Sequence, residues 1–432
     1  MVLARRFPDP GARQRAGPAA ALAILLIAAA AGASDEASPR RLTLSEALAL
    51  AEQQNPALRA QAQAVESNRA NEITAGLRPN PTFQNDTSSA TLGVYQEFEV
   101  GGKRRARLDS ARLATSVSRT DFADARRTLI FDVQQAFVGA LLARANVDLA
   151  RENLSSFQNV IDLNRMRLEK GASSGADFLK IELQMLQFQT DLEDAALALK
   201  TAKATLRKLL GEPNLPDEFE VEGELRAISF EKDLSELQQL ALANRPDLKS
   251  VETGVQKAAA DVRLAKADSY PDPTIGTSLL HTGHEIGGPS WFQPFFPKGE
   301  TANTMGLGIS FPIPLFDRNQ GEIARTRSEQ RRVEFLAQAA RNQVLQDVET
   351  AYASVRSSQD RVRLYEQAYL SRARESRDIA EFAFKKGATS ILDFLDAERT
   401  YRSTQLAYRK ELSAYMTNLA QLEAAVGTPV LP

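Results

Sequence analysis

The chain has 432 residues, a net charge of −2 at pH 7, 25% charged residues and no cysteine. The near-neutral balance argues against a nucleic-acid partner, because phosphate binding needs a basic face. The lack of cysteine excludes disulfides, metal thiolates, a thiol nucleophile and a lipid-modified N-terminal cysteine.

Residues 1–33 read as a secretory signal peptide. Arg5, Arg6, Arg13 and Arg15 make a basic start, residues 19–31 an apolar core, and Ala31-Gly32-Ala33 a small-residue cleavage site. That apolar run is shorter than the about 20 residues a spanning helix needs, and no later stretch comes close. An exported chain without such a helix belongs to the periplasm or to a β-barrel in the outer membrane; a retained anchor is the alternative reading.

The rest of the chain is duplicated. Leu44-Ser45-Glu46 and Pro56 recur as Leu234-Ser235-Glu236 and Pro246, an offset of 190, and Pro79-Asn80-Pro81-Thr82 recurs as Pro271-Asp272-Pro273-Thr274 at 192. Asp132, Val133 and Ala136 match Asp347, Val348 and Ala351 at 215; Gly171, Ser174 and Asp177 match Gly387, Ser390 and Asp393 at 216. Residues 34–213 and 232–429 are therefore two copies of one unit, with 214–231 as a linker and 430–432 as a tail. The jump from 192 to 215 places 23 extra residues in the second copy, at 281–303.

Within each copy the period changes in chain order. A first helix leads to a pair of strands: residues 81–89 and then an alternation of Leu92, Val94, Phe98 and Val100 with polar or small neighbours in the first copy. In the second copy residues 273–282 precede an alternation carrying Met305, Leu307, Ile309, Phe311 and Ile313. Segments of this length suit a transmembrane β-strand, which needs about 9 to 11 residues. A long helix follows: residues 322–386 contain neither Pro nor Gly, and 103–170 only Gly139, which predicts helices of roughly 100 Å at about 1.5 Å per residue. Each ends at a Gly-Ala-x-Ser turn before a second helix, 176–210 or 391–426, giving an antiparallel hairpin. Ser174-x-x-Asp177 and Ser390-x-x-Asp393 have the spacing of helix N-caps.

The fold class is thus mainly α with a small transmembrane β part, a duplicated strand–strand–long helix–helix unit. Four strands cannot close a barrel, and an open edge in hydrocarbon strands backbone groups at several kcal/mol each. The chain must associate. Three copies supply 12 strands, an even number within the outer-membrane range, with apolar residues toward lipid and Thr, Gly, Ser and Glu toward a wet lumen.

Leu44-Ser45-Glu46-Ala47-Leu48 with Asn55-Pro56, then Leu77-Arg78-Pro79-Asn80-Pro81, then residues 311–321 with Phe311-Pro312-Ile313-Pro314-Leu315-Phe316-Asp317-Arg318 resemble the TolC-like outer membrane factor family, and more narrowly its heavy-metal (cobalt-zinc-cadmium) resistance branch. The resemblance runs from Leu42 to Pro429. It implies a homotrimer with a 12-stranded β-barrel continued by a 12-helix periplasmic α-barrel, docked to a periplasmic adaptor and a proton-driven inner-membrane pump of the RND type. It also implies an equatorial domain, with 210–235 and the C-terminal tail as candidates. In the family, the inner ends of the hairpins form the periplasmic mouth and the adaptor contact. Carried onto this chain these are Gly171, Ser174, Asp177, Gly387, Ser390 and Asp393. Asp177 and Asp393 either cap their helices, or ring a narrow aperture with six carboxylates from three chains, or do both.

Other chemistry is sparse. His281, His284 and Glu285 in the inserted loop form a His-x-x-His that either decorates an external loop or holds a transition metal; Gly283 and Gly287-Gly288-Pro289 rule out a helical zinc motif there. Gly101-Gly102-Lys103-Arg104 lacks the Ser or Thr of a phosphate loop and reads as a strand-to-helix junction. Trp291, Phe292, Phe295 and Phe296 fit an aromatic belt or an external plug. No catalytic constellation and no cofactor fingerprint occurs, so an enzyme is not expected. The function predicted is an outer-membrane exit duct for efflux, carrying heavy-metal cations, or else drugs or secreted proteins. A periplasmic adaptor is the reading of another class, and the duplicated strands argue against it.

Overall fold

A computed structural model of the chain describes residues 41–86, 91–171, 173–211, 219–282 and 302–430. The expected signal peptide, His284, Glu285 and the aromatic residues Trp291, Phe292, Phe295 and Phe296 lie outside the described residues.

The first copy opens with strand β1 (Arg41–Leu42) and helices α1 (Leu44–Gln54) and α2 (Pro56–Gly76), then strands β2 (Thr82–Asp86) and β3 (Thr91–Glu97), then helices α3 (Lys103–Glu169) and α4 (Gly175–Leu210). After β4 (Glu220–Val221) the second copy repeats the order: α5 (Leu234–Asn244), α6 (Pro246–Ala267), β5 (Thr274–Thr282), β6 (Ala302–Ser310), then α7 (Gln320–Leu364), α8 (Leu370–Lys385) and α9 (Ile391–Val426). The opening helix expected in each copy is two helices, because Pro56 and Pro246 each occupy the first helical position and force a new start.

α3 is one unbroken helix of 67 residues, about 100 Å long. Its counterpart departs from the expected continuous helix. Between α7 and α8 the five residues Tyr365–Tyr369 form a π-helical turn. A π turn accommodates one extra residue without ending a helix. The repeat offset rises from 215 at Ala351 to 216 at Gly387, so the second copy carries one more residue across that turn. Tyr408 donates from its hydroxyl to Glu366 Oε1 at 2.9 Å beside it; burial first, and then this carboxylate, push the phenol up to about 12.

The strands are shorter than the alternation suggests. β3 stops at Glu97, although Phe98 N–H still donates to Pro273 O at 2.9 Å, and β6 stops at Ser310, before Pro312 and Pro314, which have no N–H to give. The four strands make one antiparallel sheet in the order β2-β3-β5-β6, and β1 pairs in parallel with β4.

Two equivalent cores hold the copies. In the first, Ala47 and Ala51 of α1 and Leu58 of α2 meet Leu129 and Val133 of α3 and Leu206 and Leu210 of α4. In the second, Leu237 and Ala241 of α5 and Leu248 of α6 meet Val344 and Val348 of α7 and Leu422 and Val426 of α9. Burying a full aliphatic side chain at such positions stabilises by about 1.5–3 kcal/mol. The equivalent helix breaks carry different chemistry. Asn55 donates from Nδ2 to Leu209 O at 2.8 Å, whereas Arg245, only 5% exposed, binds Asp247 at 2.6 Å and Asp347 at 2.7 Å. Burial works to raise the Asp247 carboxyl, but the hydrogen bonds and charge of Arg245 outweigh it and the net shift is downward.

A lowered folded pKa gives stability that is present above the unfolded value of about 4 and is lost as pH falls through the folded value. Arg245→Met is therefore expected to destabilise by about 2 kcal/mol at pH 7, after allowing for screening of the partly exposed carboxylates, and by less at pH 3, read from thermal melts.

Candidate functional site

The register divides the sheet into two unlike faces. Phe83 lies opposite Val94, Leu92 opposite Leu279, Leu279 opposite Met305 and Ile275 opposite Ile309, so these side chains share one face. In the single chain that face is bare: Met305 is 79% and Leu307 78% exposed. The other face carries Gln84, Tyr95, Thr274, Ser278 and the glycines at 93, 276, 306 and 308, with Leu280 as an apolar exception. The Tyr95 ring folds down onto its neighbour, and a Cβ at Gly276 would run into Tyr95 Cδ1, so glycine fits beneath it. An apolar face backed by a polar one, on a sheet that among the described residues has no further strand beside β2 or β6, is half of a membrane-to-water boundary.

Below the sheet, strand becomes helix at Gly101 and Gly102, with φ of 69° and 76°. The junction expected there is present, and it is fixed by charge. Lys103 Nζ meets Asp272 Oδ2 at 2.5 Å, Asp272 Oδ1 accepts from Val100 N–H at 2.8 Å, and Arg107 binds Glu99 at 2.5 Å while donating to Ala75 O and Leu77 O. The three-donor fork of Arg107 joins the segment after β3, α3 and the end of α2.

At the far end of the helices the two hairpin turns come together. Gly171 and Gly387 take left-handed conformations, φ 71° and 75°, and end the long helices. Ser174 Oγ accepts from Asp177 N–H at 3.1 Å and donates to Asp177 Oδ2 at 2.7 Å, and Lys180 adds a contact to Oδ1 at 3.2 Å. Ser390 and Asp393 form a full capping box, with Thr389 Oγ1 donating to Asp393 Oδ2 at 2.8 Å. Both carboxyls are held below the usual range, Asp177 by Ser174 and then Lys180, Asp393 by Ser390 and then Thr389. The capping expected from the spacing forms in both turns, and both aspartates remain at the surface.

Sequence reasoning missed what ties the turns to each other. Arg167, in the last turn of α3, donates to Phe384 O at 3.3 Å and Lys385 O at 2.6 Å, bringing side-chain donors from the other hairpin to two carbonyls at the end of α8. Its guanidinium lies 5.2 Å from the Phe384 ring, which stacks on Phe394 at 5.4 Å. Phe157, Ile161, Ile181 and Phe188 complete a shared apolar cluster with Ile391 and Leu395. A cavity of about 460 Å³ between the turns is lined by Asn164, Arg167, Asp177, Lys180 and Ser390. The signal available was an arginine in a last turn, but its partner is 217 residues away.

Of the metal candidates, His281 is paired through its backbone register with Asn303, and His284 and Glu285 lie outside the described residues. Among the described residues no group of three His, Asp or Glu side chains is placed to hold a metal ion, and no helix is long and apolar enough to cross a membrane.

Residues 47–212 and 237–428 match the outer membrane efflux protein family. The chain belongs to that family. It is an outer-membrane duct of the TolC-like kind, with a passive role in transport and no enzymatic one. The two matched stretches coincide with the two copies, and the match decides against a periplasmic adaptor. The cobalt-zinc-cadmium resistance protein CzcC of Cupriavidus metallidurans is 25% identical over 85% of each chain. The pyoverdine export outer membrane protein OpmQ of Pseudomonas aeruginosa is 26% identical over 79% of this chain and 69% of its own. The fold superposes on that of CusC, described for its transmembrane channel formation, with a TM-score of 0.72 and 18% identity over 89% of this chain and 92% of the other.

Arg167→Ala is expected to speed tryptic cleavage at Lys385 and Lys386 by releasing the end of α8, with the thermal melt of the two upper cores unchanged. Unaltered cleavage would show that the link does not hold the turns.

Proposed function

We propose that three copies of this efflux protein close a 12-stranded barrel in the outer membrane and continue it as a helical tube into the periplasm, so that a periplasmic adaptor and a proton-driven pump of the RND type deliver cargo into its inner mouth. The observation that carries this reading is the four-stranded sheet with one bare apolar face, one polar face and, among the described residues, no strand beyond β2 or β6. The cargo proposed is heavy-metal cations. Support comes from the similarity to the cobalt-zinc-cadmium resistance protein over 85% of both chains and from the carboxylates of Asp177 and Asp393 at the two hairpin turns. Efflux of small organic molecules is the second reading, favoured by the similarity to the pyoverdine exporter.

Asp177 and Asp393 are proposed as the selectivity ring of the mouth and part of the adaptor contact. Exposed aspartates are ionised at neutral pH, and the downward shift extends that charge to lower pH; a ring of carboxylates favours cations. In planar bilayers, the double variant Asp177→Asn, Asp393→Asn is expected to lose cation preference at pH 7 and to match the parent below the carboxyl range. Equal selectivity at pH 7 would remove the ring. For cargo, a deletion strain challenged with Zn, Co, Cd, Cu and antibiotics is expected to lose metal tolerance; sensitivity confined to antibiotics would overturn the metal assignment and leave the duct.

A further inference from the structure

The sheet and the helices that pack together share one order, and their two outer edges differ. Strands run β2-β3-β5-β6, and helices pack in the matching order α2, α3, α6, α7. The joint in the middle, where the first copy meets the second, is fully described. Tyr95 of β3 lies opposite Gly276 of β5 and Gln96 opposite Ile275. Phe98 N–H donates to Pro273 O, Val100 N–H to Asp272 Oδ1, and Lys103 pairs with Asp272. Among the helices, Ser250 of α6 donates to Asp121 of α3.

The duplication converts this joint into a template. Thr82 lies opposite Tyr95 in the first hairpin and Thr274 opposite Ser310 in the second, so offsets of 192 and 215 superpose the hairpins. The 215 is the same offset that relates Asp132 to Asp347 deep in the long helices. We propose that the joint between protomers repeats the internal one, with β6 of one chain taking the place of β3 and β2 of the next chain taking the place of β5. This inference rests on the reading of the chain as part of a shared barrel, and it fixes the register of that barrel. Ser310 stands opposite Gln84 of the next copy, and Phe311 opposite its Phe83.

Three observations fit this register without having been used to derive it. Phe311 and Phe83, 60% and 67% exposed in the single chain, come together on the apolar face, while Ser310 and Gln84 meet on the polar face; a slip of one residue would set apolar against polar along the whole joint. Pro312 takes the place of Glu97. Because N–H directions alternate along a strand and Phe98 donates across the joint, the donor that Pro312 lacks points away from it. In the helical layer, Leu336 and Ala60 take the places of Asp121 and Ser250, so a polar pair is replaced by an apolar pair on both sides at once. Leu336 is 45% exposed in the single chain, and this contact covers it.

The template also shows where the two joints differ. Asn80 stands for Asp272 and Arg318 for Lys103. Asn80 keeps an oxygen for Leu315 N–H, which in the single chain donates to Ile313 O instead, but it cannot form the ion pair. The joint between protomers is thus fastened by neutral hydrogen bonds where the internal joint is locked by charge.

The natural absence of cysteine makes a clean test. The chain bearing Gln84→Cys and Ser310→Cys, oxidised in outer-membrane preparations, is expected to run mainly as a covalent trimer on a non-reducing gel. Directly opposed positions approach to about 4.5–5.5 Å between Cα atoms, whereas two cysteines more than about 7 Å apart cannot be bridged. Pairing Gln84→Cys instead with Gly308→Cys or Pro312→Cys is therefore expected to give little product. Ala60→Cys with Leu336→Cys tests the helical layer independently of strand folding. Stronger linking in a shifted strand pair, or no linking in any pair while the particle stays trimeric, would overturn the register and leave the barrel standing. A monomeric particle would instead overturn the shared-barrel reading itself.

Discussion

Everything in this protein follows from the two outer edges of a four-stranded sheet. Among the described residues β2 and β6 each have a strand beside them on one side only, so the N–H and C=O groups of the outer edges need partners from elsewhere, on a sheet whose bare apolar face suits lipid. Water cannot satisfy those groups at that depth, and each left open costs several kcal/mol. A free edge is tolerable in a soluble protein, where charge or a covering loop blunts it. In hydrocarbon the only remedy is closure, and four strands are too few to provide it. Association is therefore a condition of the fold rather than an addition to it. A barrel that neighbours complete has a polar interior by construction, because the same alternation that turns Met305 and Leu307 outward turns Gly306, Gly308 and Ser310 inward.

The duplicated architecture lets one scaffold carry two chemistries at matching places. At the break between the paired short helices, Asn55 uses a neutral amide where Arg245 gathers two aspartates. Asp132, the counterpart of Asp347, sits in the first copy with its carboxyl pushed up by burial. The long helices diverge in the same manner. α3 is continuous, while its counterpart contains a π turn that takes up one residue, and the two hairpins are joined at their turns by Arg167. The two turns are chemically alike, each with a Gly, a Ser cap and an Asp, although the long helices that lead to them differ.

Much of this was legible in the sequence because its signals are local or repeated. Stretches free of Pro and Gly marked the outer limits of the long helices to within two residues, the spacing of Ser174 and Asp177 the cap, and alternation the two faces of the sheet. Strand ends were less legible, since Phe98 and Ile313 continue the apolar pattern past the point where the ladder stops. The parallel pairing of β1 with β4 and the reach of Arg167 to the other hairpin depend on contacts far apart in the chain, which no local pattern records. The π turn lay in plain view as a change of offset from 215 to 216, but a one-residue insertion has several structural solutions, and only the packed helix shows which one is used. The metal candidates His281, His284 and Glu285 gained no support, since two of them lie outside the described residues.

The central claim is that one chain supplies a third of a closed wall. Native mass spectrometry of the protein extracted from outer membranes in mild detergent tests it most directly. The account predicts a particle of three mature chains that keeps its mass on dilution. A stable particle of one chain would contradict it, because the two open edges would then have to be satisfied within a single sheet.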